Sequence, residues 1–173
     1  MKVQTGIAAE TTVVLLTLVA LPLVPRESSL LPLFYLIIQG LLTYFAHCPA
    51  HYFVGSLVGV RFKRFLLARS AMRKSSSQLL RFIGSRALTF VLVVDRQSIS
   101  KVSPRARSAT LLAGVIASVS LPFVVAIYAV ITGSLTSQII TFGFALFYLA
   151  FDAVYSPRTG DVYRARTLGT PVG

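Results

Sequence analysis

The residues of this chain best suited to chemistry are His47 and His51, set in the run His47-Cys48-Pro49-Ala50-His51. Two imidazoles four residues apart lie on one helix face, one turn apart, so a ring nitrogen from each can reach a common ion. In the HExxH arrangement a glutamate directly after the first histidine activates the water on such an ion. Here that position is Cys48. A glutamate, with a pKa of about 4.3, is ionised at neutral pH, whereas a thiol at about 8.5 mostly is not. The thiol is also shorter. A metal centre here needs a third ligand from elsewhere, and hydrolysis needs another base. Pro49, between the histidines, removes one backbone donor, so a kink that disturbs their spacing is to be expected.

The elements that carry these residues are apolar. Of 173 residues, 55% are hydrophobic and 13% charged, too apolar a balance for an ordinary soluble domain. A membrane span needs roughly 20 apolar residues. Four stretches approach that: about Ile7–Val24, Leu30–Gly55, Ala109–Thr132 and Leu135–Tyr155. The fold class expected is an all-α polytopic membrane protein. It has four transmembrane helices and one integral domain over residues 1–173, with a basic cytoplasmic segment at 61–107 and a cytoplasmic tail at 156–173. The short run Ala87–Val94 is rich in branched and aromatic residues and reads as a strand, pairing with Val60–Leu66 as a short β-hairpin. The first stretch follows Lys2 like a signal peptide. Glu10 and Thr11-Thr12 interrupt it, however, and no small-residue cleavage site precedes Pro25, so it reads as a retained helix.

The net charge of +12 does not point to nucleic acid, because its distribution follows the membrane. Twelve of the seventeen Lys and Arg residues lie between Arg61 and Arg107, against Asp95 alone. Arg26 is balanced by Glu27, and the link at Gly133-Ser134 carries no charge. The positive-inside rule then places both termini and the basic segment on the cytoplasmic side of a cell (inner or plasma) membrane, where anionic lipid attracts them. The one cysteine excludes an internal disulfide.

Asp152 is the candidate third ligand. An intramembrane carboxylate is expensive and normally has a partner. Counted from Leu135 at 1.5 Å per residue, Asp152 lies about 25 Å down its helix, the depth of His47 counted from Leu30. Two histidines and one carboxylate could then converge with a fourth position open. The plainer alternatives are an interhelical histidine hydrogen bond and an Asp152–Arg158 pair. Glu10 is expected near the end of its span, where a carboxylate suits the helix dipole. Small residues Ala113, Gly114, Ala117 and Ser118 suit the third span to a central position. The aromatics Phe142 to Phe151 on the fourth read as lipid-facing or packing groups.

The run His47 to Phe62, with its histidine pair, Gly55, Gly59 and basic exit, resembles the HExxH segment of the site-2 protease family of intramembrane zinc metalloproteases. Ala113-Gly114 after the basic Arg105–Arg107 is similar to the start of that family's central helix. Phe151-Asp152-Ala153 stands where the family has its Leu-Asp-Gly ligand motif, and the order agrees over about Leu30–Asp152. The resemblance implies zinc held by His47, His51 and Asp152. The chain departs from the pattern at Cys48, at Ala153, and in lacking the family's Asn/Pro pattern within Thr141–Ala150. Neither Glu10 nor Asp161 is placed by the sequence where it could replace the missing glutamate. General acid–base assistance is worth about 10²–10⁴-fold, so the expectation is a site-2-protease-like metalloprotein with impaired proteolysis that binds transmembrane segments of clients. The alternatives are an active zinc metalloprotease with an unusual base, and a metal-free scaffold whose basic segment binds anionic lipid or a partner.

Overall fold

The computed structural model describes residues 1–24, 28–74 and 77–167. The link at Pro25–Glu27, the Ser75-Ser76 tip, the Arg158 side chain and the tail beyond Thr167 lie outside the described residues. Four helices are long and apolar enough to cross a membrane: Val3–Leu23, Leu31–Leu57, Pro104–Thr132 and Leu135–Pro157. The first is α1 (Val3–Ala20) with a closing 3-10 turn at Leu21–Leu23 that contains Pro22.

The second is two helices in tandem, α2 (Leu31–Phe45) and α3 (His47–Leu57), joined at Ala46. Pro49 has no N–H to offer the Phe45 carbonyl, so the break falls at Ala46, ahead of both histidines. Pro49 becomes the third residue of α3, where a backbone N–H needs no helical partner. The kink therefore leaves His47 and His51 together on one unbroken helix.

Between α3 and the third long apolar helix lies the basic segment. Strands β1 (Phe62–Arg69) and β2 (Leu88–Val94) pair antiparallel, Phe65 opposite Leu92 and Leu67 opposite Phe90, confirming the expected hairpin. They flank a short turn at Ala71–Lys74 and helix α4 (Gln78–Arg86). Helix α5 (Arg96–Lys101) follows, capped by the Asp95 side chain on the Gln97 N–H. The hairpin packs on α1 through Phe65, which joins Ile7 and Cys48 in an apolar cluster and stacks on Phe90 at 5.3 Å.

Helix α6 (Pro104–Thr132) is the central one, packing against α2, α3, α7 (Leu135–Thr159) and α8 (Asp161–Thr167). Tyr35, Ile38 and Leu42 of α2 close one end of the bundle against Val125 and Ala129 of α6. Where the sequence suggests a tail from residue 156, α7 continues to Thr159. The chain then turns at Gly160 and α8 folds back onto α6, its Ala165 carbonyl 3.4 Å from Ser108 Oγ.

Candidate metal centre

One face of α6 prepares the histidines. Thr110, Gly114 and Ser118 recur every four residues and so line up along the side that meets α3. His51 Nδ1 lies 2.6 Å from the Thr110 carbonyl oxygen, and His47 Nδ1 lies 3.1 Å from Ser118 Oγ. Between them the His51 ring packs directly on Gly114, where any Cβ would overlap the imidazole. Both rings are thus held by their Nδ1 atoms and turn Nε2 toward each other, 3.1 Å apart.

The third member is Asp161, the first residue of α8. Its Oδ2 lies 3.1 Å from His47 Nε2 and 3.3 Å from His51 Nε2, and its Oδ1 accepts from Arg164 Nη1 at 3.3 Å. The turn that delivers it is tight. A Cβ on Gly160 would lie 2.8 Å from Ser156 Cα, and Ser156 Oγ accepts the Val162 N–H at 3.3 Å. Burial acts to raise the Asp161 pKa. The hydrogen bonds and charge of His47 and His51 outweigh it and hold the carboxyl well below the usual carboxylate range.

These contacts leave more acceptors than donors at the centre. A carbonyl only accepts, so His51 Nδ1 carries the proton and a neutral His51 presents a bare lone pair at Nε2. That lone pair faces a carboxylate oxygen, which also only accepts. Only the His47 Nε2–H can point at both of these acceptors, whereas a cation at the centre would satisfy all three atoms at once. A tetrahedral ion with bonds of about 2.0–2.1 Å has ligand atoms about 3.3 Å apart; the three separations here are 3.1, 3.1 and 3.3 Å. His47, His51 and Asp161 could hold a metal ion. Each supporting contact is also of the kind that orients metal ligands: a carbonyl and a hydroxyl on the two Nδ1 atoms and a guanidinium on the second carboxylate oxygen.

Asp161 was not the acid expected. Asp152 lines the same cavity of about 670 Å³ but is not one of the three residues whose ligand atoms converge. Depth along a helix does not reveal that α8 returns and brings Asp161 to the histidines. The sequence does hold a signal for this, a Gly followed by an Asp, which ends one helix and starts another. Cys48 is turned elsewhere: its Sγ points at the Phe90 carbonyl of β2, 3.5 Å away, in the cluster with Ile7 and Phe65. Glu10 lies two turns inside α1 rather than at its end. It is 2% exposed, and among the described residues neither carboxyl oxygen has a partner. Phe144, Tyr148 and Phe151, expected to face lipid or packing neighbours, form an aromatic wall of the cavity.

No family model, curated protein or solved structure matches the chain. The functional reading therefore rests on this geometry.

Proposed function

We propose that the protein is an integral membrane metalloprotein of site-2-protease type, with zinc held by His47, His51 and Asp161, that receives transmembrane segments of client proteins in the adjoining cavity. The observation that carries this reading is the triangle of lone-pair donors, 3.1–3.3 Å on a side, on two helices of a bundle apolar enough to cross a membrane. Three protein ligands leave a fourth position for water or a carbonyl oxygen, as in catalytic rather than structural zinc sites. The aromatic wall of Phe144, Tyr148 and Phe151 suits the apolar side chains of a membrane-spanning segment. Both termini and the basic segment are cytoplasmic in this reading, which puts the centre near the cytoplasmic leaflet of the cell membrane.

By the family's own route proteolysis is impaired, because the side chain after the first histidine is a thiol directed at a β2 carbonyl rather than a carboxylate. The test is metal analysis of the detergent-purified chain together with photo-crosslinking from position 144 to a synthetic transmembrane peptide. About one zinc per chain and peptide capture are expected; a chain without metal, or one that captures nothing, refutes the reading. A second activity, contact with anionic lipid, is favoured by α4, where Phe82 and Ile83 are exposed and Arg86 lies over the Phe82 ring at 3.8 Å.

A further inference from the structure

The cavity contains a carboxylate that the three-residue group leaves unused. Asp152 is half-buried in α7 and lines the same cavity as His47, His51 and Asp161. Among the described residues no hydrogen bond or ion pair engages it. A carboxylate in an apolar span is costly and calls for a reason. The other unengaged acid, Glu10, is not among the residues lining the cavity. Cys48, the residue in the sequence position of the missing base, is committed to β2.

We propose that Asp152 is the general base and acid of this centre, replacing from α7 the carboxylate that α3 lacks after His47, so that the chain hydrolyses peptide bonds. The inference rests on the metal reading above. A bound ion would polarise the scissile carbonyl and make the attacking water more acidic. Asp152 takes one proton from that water as its oxygen bonds to the carbonyl carbon and the C=O π pair moves onto the carbonyl oxygen. When that pair returns and the C–N bond breaks, Asp152 hands the proton to the leaving nitrogen. One water and one amide give one acid and one amine, and the carboxylate is restored.

The separation of roles is what makes the idea testable: Asp161 holds the ion, and Asp152 moves the proton. Asp152→Asn keeps shape and volume while removing basicity, and retained metal reports that the variant is folded. In the zinc-loaded full chain, wild type is expected to cleave fluorescein-labelled casein and Asp152→Asn to do so about 10²–10⁴-fold more slowly. Acetohydroxamic acid supplies a readout apart from turnover, since it binds a metal as its anion and its proton needs an acceptor. Its affinity for the cobalt-substituted protein is expected to fall at least about tenfold in Asp152→Asn, with metal content unchanged. Loss of metal from Asp152→Asn would make Asp152 a ligand and overturn the inference. So would unchanged hydroxamate affinity, or a loaded wild type that does not cleave. A wild type that takes up no metal fails differently, because then the centre itself is absent.

Discussion

Gln39 on α2 and His51 on α3 both reach a backbone carbonyl of α6, yet they do opposite things with the rest of the side chain. Gln39, fully buried, donates one Nε2 proton to the Pro122 carbonyl at 2.9 Å and the other to the Thr141 carbonyl at 3.0 Å. Its donors end on α6 and α7, and the three helices are tied. Nearby, the Tyr35 and Thr132 hydroxyls pair at 3.0 Å. His51 makes the same kind of contact with Thr110 but aims its second nitrogen at another imidazole and a carboxylate. One end of the bundle uses polar atoms to join helices; the other gathers more acceptors than donors around one point. A convergence of acceptors, rather than burial or polarity alone, separates a binding centre from a helix clamp.

The sharpest way to break that contrast is to remove a vertex of the triangle. His51→Ala or Asp161→Ala should lower zinc affinity by more than about 10²-fold, beyond the 10–100-fold range produced by loss of a supporting group. Equilibrium dialysis with elemental analysis reads the change directly. If either variant binds zinc like wild type, the triangle is only a hydrogen-bonded cluster held by a proton.

A smaller effect tests how the ring is positioned. Gly114→Ala adds one methyl group where the His51 imidazole lies flat on α6. The ring must shift away from the Thr110 carbonyl, and zinc affinity should fall about 10–100-fold, as for other losses of ligand support. Unchanged affinity would mean that the helices separate freely at this contact.

Much of this was legible in the sequence, and the reason differs by element. The four long apolar helices follow from apolar length, and the hairpin from two short branched-and-aromatic strands. The histidine pair follows from a spacing of four, and the central place of α6 from small residues at that same spacing. Asp161 was not legible as a ligand because its position depends on a turn. Gly160-Asp161 marks a helix boundary but not the direction in which α8 leaves it, and depth along a helix applies only to residues on the long helix itself. The site's other half-hidden feature, the role of Pro49, was misjudged for a related reason. A proline breaks the helix at the carbonyl four residues before it, so the damage falls at Phe45–Ala46 and spares the spacing it was expected to spoil.

The smallest effect sharpens the comparison from the clamp's side. Gln39→Leu removes both interhelical donors while keeping similar bulk. The Pro122 and Thr141 carbonyls lie within α6 and α7 and keep the N–H of their own helices. The side-chain amide oxygen, which has no partner among the described residues, is removed as well. The loss should therefore resemble that of other interhelical hydrogen bonds in membranes, about 0.6 kcal/mol and at most about 1.7 kcal/mol. Reversible unfolding in mixed micelles measures it. Zinc affinity should stay at the wild-type value, because the Gln39 hydrogen bonds go to Pro122 and Thr141 rather than to the groups that hold His47, His51 or Asp161. Should zinc binding fall along with stability, the two ends of the bundle are coupled through α6, and the division between clamp and centre does not hold.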